Sequence, residues 1–185
     1  MRFELWSKAF PQTAVDCLVA GVFEESDPGE AAGQLDTATG GRLKKVLTRG
    51  DFTGRAGETA LLHDLPGIAA SRVLLVGLGP RKNLSRKVWR RGCSVAFSAL
   101  ARTGIRSAAV GLDRPPAKEL DDYYFAKAIA ELGGSALYRV NDLKTGKKPK
   151  APALDTIIAG PVRSGAAATA RRGFEHGSAA VLGMR

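Results

Sequence analysis

The stretch RVLLVGLGP, residues 72–80, contains four consecutive apolar residues, Val73 to Val76, and ends in two glycines spaced one residue apart. An apolar run without polar interruption is typical of a strand that helices cover on both faces. A strand that ends in closely spaced glycines also opens the phosphate-binding loops of many nucleotide-binding proteins. The stretch therefore predicts an interior strand of an α/β sheet, and it raises the question of whether the chain binds a nucleotide.

The residues that follow this strand do not match a nucleotide-binding fingerprint. Pro80 lacks the backbone N–H that a phosphate loop needs, and Lys82 stands where a dinucleotide motif has its third glycine. No acidic residue for a ribose hydroxyl lies near Phe97 and Ser98, and no Gly-Lys-Ser or Gly-Lys-Thr follows the glycines. We therefore interpret residues 72–80 as a strand that ends in a turn before a helix.

Apolar runs and helical spacing alternate along the rest of the chain. Strands are predicted in RFELWSK, DCLVAGVF, ETALLHD, RVLLVGL, SAAVGL and LDTIIAG. Helices are predicted in GEAAGQLDTATGGRLKKVL, with a break at Gly40 and Gly41, in SRKVWRRGCSVAFSALART and in KELDDYYFAKAIAELGGSALY. This alternation predicts an α/β fold, a three-layer α/β/α arrangement with a mixed, mostly parallel sheet. We expect Leu18 to Val22 and Val73 to Val76 in interior strands.

The second helix carries an amphipathic pattern. Its apolar face is predicted to consist of Val88, Val95, Ala96 and Leu100, with the basic residues largely elsewhere.

Composition limits the classes of protein to which the chain can belong. It has 185 residues, 44% hydrophobic and 25% charged, which favours a globular domain over disorder. The N-terminus MRFELWSK does not resemble a signal peptide, and no apolar run approaches the roughly 20 residues that span a bilayer. Cys17 and Cys93 lie in apolar surroundings and are expected to be buried, unpaired thiols. We expect a cytoplasmic protein without a membrane partner.

The positive charge is concentrated in one part of the sequence. The net charge is +10, and residues 65–112 contain nine Lys and Arg but no Asp or Glu. Six of these cations are candidates for nucleic-acid binding: Arg81, Lys82, Arg86, Lys87, Arg90 and Arg91. Ser85, which lies within this segment, can cap a helix. The alternative is that they pair with acids such as Asp121 or Asp122, or with another subunit. A second basic run, KTGKKPK at 144–150, has the composition of an exposed loop.

Catalytic, cofactor and metal sites are not predicted in this chain. His63 and His176 have no partner at metal-ligand spacing, and nothing beside Cys93 marks it as an activated nucleophile. The acids Glu24, Glu25, Asp27 and Glu30 follow a strand and are interpreted as a solvated turn, with a cation site as the alternative. Gly40 and Gly41 in TGGRLKKV offer a further alternative, an anion cradle at a helix start.

The most specific element is DFTGRAGET, residues 51–59, followed by RVLLVGLG. Its pattern residues are Asp51, Phe52, Gly54, Gly57, Glu58 and Thr59. The glycines permit positive φ angles, and Asp51 or Thr53 is expected to bond nearby N–H groups. With DCLVAGVF, LGGSALYRVNDLKTGKKP and FEHGSAAVLGMR in the same order, this element resembles the N-terminal domain of the leucyl aminopeptidase (cytosol aminopeptidase) family.

The resemblance implies a macro-domain-like fold for residues 1–160 and a helix, residues 161–185, that leads into a catalytic domain absent from this chain. In the family, that other domain carries two divalent metal ions, Zn or Mn, and the signatures GKGxTFDxGG and NTDAEGR, which do not occur here. The implied partners are the protein's own C-terminal catalytic domain and the other subunits of a hexamer. Three functions follow for the chain: a non-catalytic domain of a metallo-aminopeptidase, a DNA-binding domain, as in some family members, or a macro-like module for a small ligand.

Overall fold

A computed structural model of the chain describes residues 1–6, 8–24, 27–138 and 153–183. The basic run at 144–150 and Glu25 lie outside the described residues. Within them, six strands form one sheet in the order β1-β6-β5-β2-β4-β3. The strands are β1 (Arg2–Leu5), β2 (Cys17–Val22), β3 (Thr59–His63), β4 (Arg72–Gly77), β5 (Ser107–Gly111) and β6 (Thr156–Ala159).

Strand pairing confirms the mixed, mostly parallel sheet. All neighbouring strands are parallel except β3, which pairs antiparallel with β4 at one edge. Strand β2 lies between β4 and β5, so that Leu18 has Val73 as its partner on one side and Ala109 on the other. The two runs expected in the interior of the sheet, in β2 and β4, are both there.

Helices cover both faces of this sheet. They are α1 (Gly29–Ala38), α2 (Arg42–Thr48), α3 (Arg86–Leu100), α4 (Asp122–Tyr138) and α5 (Ala167–Gly183), with short 3₁₀ turns at Phe10–Gln12 and Arg81–Asn83. The break predicted between α1 and α2 occurs at Gly40 and Gly41, whose φ angles are +66° and +78°. Both glycines adopt the left-handed conformation that ends one helix and starts the next.

The core has two halves, one on each face of the sheet. Alternate residues of β4 point to opposite faces, so that Leu74 lies in one half and Leu75 in the other. The half with Leu74 contains residues of α3, α4 and α5, and the half with Leu75 contains residues of α1 and α2. This arrangement is the three-layer α/β/α architecture that the sequence predicts.

The buried face of α3 differs from the predicted one. Val88 and Val95 are only half-buried, whereas the residues in full contact with the core are Trp89, Gly92, Cys93, Ala96, Phe97 and Leu100. The prediction was right for Ala96 and Leu100 and wrong for the two valines. Trp89 and Phe97 have more apolar surface to bury than a valine does, and they turn the helix toward the sheet and α4.

Helix α5 packs against α4 through glycines. A Cβ atom added at Gly177 would lie well under 3 Å from the Lys127 carbonyl oxygen and 2.8 Å from the Ala130 Cβ. At Gly173 an added Cβ would meet the backbone of α4 in the same way. The two helices therefore approach more closely than helices with larger residues at the contact could.

Candidate functional site

The DFTGRAGET loop is organised around one carboxylate. Oxygen Oε2 of Glu58 accepts hydrogen bonds from the Thr53 amide over 3.0 Å, the Thr53 hydroxyl over 2.9 Å and the Arg55 amide over 3.2 Å. Burial acts to raise the pKa of Glu58, but these hydrogen bonds outweigh it and hold the pKa below its usual value. Asp51 or Thr53 was expected to bond nearby N–H groups; in these contacts, Glu58 is the acceptor and the Thr53 hydroxyl is a donor.

The same loop joins the ends of two central strands. Gly54, with φ +78°, packs so closely on the Phe23 backbone after β2 that a side chain has no room there. Its carbonyl accepts from the Gly79 amide after β4 over 2.9 Å, and Phe52 is fully buried beneath the loop. Of the motif residues, Phe52, Gly54 and Glu58 therefore contact backbone or core, whereas Asp51 and Thr59 are exposed.

Three of the six candidate DNA-binding residues contact other parts of the chain. Arg81 forms an ion pair with Asp27 and lies over the Phe23 ring, 4.1 Å from its centroid. The hydrogen bond from Arg81 lowers the pKa of the Asp27 carboxyl. The guanidinium of Arg90 lies 3.6 Å from Glu131, and that of Arg86 lies 5.0 Å from the centroid of the Tyr124 ring.

The acids suggested as partners of this segment have other contacts. Asp121 accepts a hydrogen bond from the Tyr124 amide over 2.8 Å, and Asp122 binds Arg114 and Arg163. The alternative that basic residues of this segment pair with acids from elsewhere in the fold is confirmed for Arg81 and Arg90, but the two acids named as examples, Asp121 and Asp122, were wrong. The chain brings acids from more distant positions to Arg81 and Arg90 instead.

An exposed row of residues runs along the outer side of α3, and we call it the α3 stripe. It consists of Lys87, Arg91, Ser94 and Ser98 on the helix and Arg102 just after its end, which are spaced three or four residues apart and are all exposed. Lys82 is exposed just before the helix. The Ser85 hydroxyl accepts from the Val88 amide over 3.4 Å, which confirms the predicted cap. Within the basic segment, Arg81, Arg86 and Arg90 thus contact other parts of the chain, although Arg81 and Arg86 are themselves exposed, and the α3 stripe is exposed beside them.

Other candidates from the sequence have structural roles. The Asp36 carboxylate accepts from the Lys44 amide over 2.8 Å, so the chain's own anion occupies the start of α2 and the anion cradle at Gly40 and Gly41 was wrong. His63 is exposed, and His176 Nδ1 lies 2.8 Å from the Tyr123 hydroxyl.

Across residues 1–6, 8–24, 27–138 and 153–183, no three His, Cys, Asp or Glu side chains form a group that could hold a metal ion. Nor does any helix described there have the length and apolar character needed to cross a membrane.

Both cysteines are buried and unpaired, as predicted. Burial raises the pKa of the Cys17 thiol to about 12, and it raises that of Cys93 as well. Neither is an activated nucleophile, because nucleophilic cysteines need a lowered pKa.

A buried carboxylate ties together two loops at the carboxyl ends of the parallel strands. Asp122, which is 1% exposed, accepts from Arg114 over 2.9 Å and from Arg163 over 2.6 Å. Burial acts to raise the pKa of Asp122, but the hydrogen bonds from Arg163 and Arg114 outweigh it and lower the pKa. Arg114 follows β5 and Arg163 follows β6, so this pair of contacts fixes the two strand ends relative to α4.

A cavity of about 290 Å³ lies beside these contacts. It is lined by residues that follow β1, β5 and β6 and by the start of α1, among them Trp6, Glu30, Asp113, Arg114, Pro161 and Arg163. The carboxyl edge of a parallel sheet is where α/β proteins commonly bind ligands. Sequence reasoning missed this site; its local signal was the pair Asp113-Arg114 directly after a buried strand.

Comparisons with known proteins point to one family. The family model described as "Cytosol aminopeptidase family, N-terminal domain" matches residues 19–147. A probable cytosol aminopeptidase of Nitrosomonas eutropha is 38% identical over 91% of this chain and 34% of its own length. That of Methylobacillus flagellatus is 32% identical over 100% of this chain and 37% of its own. The chain thus spans about a third of the length of these relatives.

Solved structures show the same fold. A mutant of tomato leucine aminopeptidase superposes with a TM-score of 0.75 at 22% identity, covering 98% of this chain and 36% of that one. A mutant macrodomain of Oceanobacillus iheyensis gives a TM-score of 0.63 at 9% identity, covering 94% of this chain and 90% of that one. At these identities the likeness concerns the fold alone.

Proposed function

The chain belongs to the cytosol aminopeptidase family as its N-terminal domain, and from this premise we propose that it is the non-catalytic domain of a metal-dependent leucyl aminopeptidase. The match of the family's N-terminal model to residues 19–147 carries the proposal. The described residues do not supply a metal-ligand group. Two divalent ions, Zn or Mn, would be held by the catalytic domain, which would release N-terminal amino acids from peptides in the cytoplasm.

Within this proposal, residues 1–160 are the macro-like domain and residues 161–185 lead to the catalytic domain. Helix α5 is suited to that role because its close contact with α4 at Gly173 and Gly177 leaves little freedom to tilt. Leu182, near the end of α5, is 59% exposed and would pack against the catalytic domain. The domain would thereby orient its neighbour and support assembly of a hexamer, as the family resemblance implies.

A chimera tests both parts of this proposal. The chain replaces the N-terminal third of the Nitrosomonas eutropha relative, and the control is that relative's remaining portion without any N-terminal domain. We expect the chimera to hydrolyse leucine p-nitroanilide with Mn²⁺ and to elute as a hexamer, and the control to elute as a smaller species. The isolated 185-residue chain should show no turnover with Zn²⁺ or Mn²⁺.

The outcomes separate the two claims. Metal-stimulated hydrolysis by the isolated chain that persists after repurification would overturn the non-catalytic assignment. A chimera that is active but monomeric would overturn the assembly role alone.

A second candidate function, duplex DNA binding, is favoured by the α3 stripe, and we propose it as an additional role. Lys87 and Arg91 present two cations on one exposed face of α3, the hydroxyls of Ser94 and Ser98 follow on the same face, and Arg102 adds a third exposed cation just after the helix ends. Cations and hydroxyls in a row are the groups that contact successive phosphates. Of the six residues first selected, Lys82, Lys87 and Arg91 would make these contacts, and Arg81, Arg86 and Arg90 would hold the segment in place.

Charge reversal on two surfaces tests this role. Changing Lys87 and Arg91 to Glu should weaken duplex binding with little sequence dependence and reduce the salt slope by about 2. The matched control changes Arg171 and Arg172, two exposed residues of α5, to Glu, with the same change in net charge. Equal weakening by both variants would show that net charge and not the α3 stripe determines binding.

A further inference from the structure

The cavity at the carboxyl edge of the sheet has one acidic and one basic side. Glu30 and Asp113 form the acidic side, where the Glu30 amide at the start of α1 donates to Asp113 Oδ1 over 2.9 Å. Arg114 and Arg163 form the basic side, where both bind Asp122 at the start of α4. Because α1 and α4 cover opposite faces of the sheet, the two sides lie toward opposite faces at the sheet edge.

Two lining residues each carry a buried polar atom that lacks a hydrogen-bond partner. Among the residues that the structure describes, three side-chain atoms are in this condition, and two of them belong to Trp6 and Asp113. Trp6 Nε1 is a donor without an acceptor, and Asp113 Oδ2 is an acceptor without a donor. A buried polar group without a partner is unfavourable by about 1–3 kcal/mol, and both of these atoms belong to residues of the cavity wall.

The charges on the two sides are not internally balanced. On the basic side, the single carboxylate of Asp122 faces two guanidinium groups, which leaves one positive charge. On the acidic side, burial raises the pKa of the Asp113 carboxyl and the positive charge of Arg81 acts in the opposite direction, but the ion pair of Arg81 is with Asp27. An anionic group is therefore favoured near Arg163 and a cationic donor near Asp113.

We propose that this cavity binds the zwitterion of a free α-amino acid, with the ammonium group at Asp113 and the carboxylate at Arg163 and Arg114. A volume of about 290 Å³ lies at the lower end of ligand pockets and suits a molecule of this size. The remaining walls include Ala31, Leu120 and Pro161, which would accept an apolar side chain such as that of leucine. The fold alone does not supply this specificity; the two opposed charged sides do.

Ligand analogues provide the first test, on the unaltered chain. L-Leucine binding is measured by calorimetry and by tryptophan fluorescence. The fluorescence signal can report on the cavity because Trp6 lines it, whereas Trp89 is fully buried elsewhere. Leucinamide lacks the carboxylate and N-acetyl-leucine lacks the ammonium group, so each should bind at least about tenfold more weakly than L-leucine. A Trp6→Phe variant should lose the fluorescence change.

Substitutions provide the second test. Arg163→Gln and Asp113→Asn should each weaken L-leucine binding at least about tenfold, whereas Arg172→Gln on the exposed side of α5 should not change it. Asp113 also accepts a hydrogen bond from the start of α1, so circular dichroism is used to check that the Asp113→Asn variant is folded. If this variant is not folded, the binding of the ligand analogues to the unaltered chain tests the proposal.

Three results would overturn the proposal. They are the absence of saturable L-leucine binding up to roughly 10 mM, equal binding of leucine and either analogue, and full binding by a folded Arg163→Gln variant. Binding of acetate as tight as that of leucine would likewise reduce the site to a simple anion site.

Discussion

Replacing Gly177 by alanine should destabilise the domain, although alanine is the better helix former. In a helix with free space around the glycine, this change is worth about 0.5–1 kcal/mol in favour of alanine. At Gly177 the new Cβ would lie 2.8 Å from the Ala130 Cβ, whereas ordinary contacts begin at 3.4 Å. Helices α4 and α5 would therefore have to separate by at least about 0.6 Å.

The expected magnitude follows from these opposing effects. The second obstacle, the Lys127 carbonyl oxygen, is part of the backbone of α4 and cannot rotate away. Overpacking of this kind typically destabilises by about 1–3 kcal/mol, which exceeds the gain in helix propensity. We expect a net loss of roughly 1–2 kcal/mol and a melting temperature lower by about 2–8 °C.

Gly33 provides a matched control in α1. No atom lies within 4 Å of a Cβ added there, so Gly33→Ala should stabilise the domain by about 0.5–1 kcal/mol. Urea unfolding of the parent and both variants, followed by circular dichroism, measures the three free energies of unfolding. If Gly177→Ala gains as much stability as Gly33→Ala, the close helix contact and the orienting role inferred for α5 are both wrong.

Three further predictions concern buried or hydrogen-bonded groups. Asp122→Ala should destabilise the domain by about 3 kcal/mol because it leaves Arg114 unpaired. Since the pKa of Asp122 is lowered in the folded state, the stability that this carboxylate contributes is present above its unfolded pKa and is lost as the pH falls through its folded pKa. Urea unfolding between pH 7 and pH 3 would measure this loss. Glu58→Gln should reduce stability by about 1 kcal/mol and speed amide exchange at Thr53; unchanged exchange would contradict its role in the loop. Cys17 and Cys93, whose pKa values burial raises, should react with a thiol reagent only as fast as the domain unfolds, and rapid native labelling detected by mass spectrometry would refute their burial.

The sequence by itself determined the elements and the fold class. Strands β2 and β4 are continuous apolar runs, and the break between α1 and α2 falls at two adjacent glycines, so both are encoded within a few neighbouring residues. The Ser85 cap of α3 is local in the same sense, since donor and acceptor are three residues apart. The order of DFTGRAGET, the strand after it and the segments on either side also indicated the family, which the match to residues 19–147 confirms.

Only the tertiary structure decided which charges meet. Arg81 pairs with Asp27 across 54 positions of sequence, and Arg163 meets Asp122 across 41. The sequence suggested nearer acids, because it shows spacing along the chain but not which loops the crossovers bring to the same edge of the sheet. The cavity has the same origin: Trp6, Asp113 and Arg163 follow three different strands, and they become neighbours because β1, β6 and β5 lie side by side.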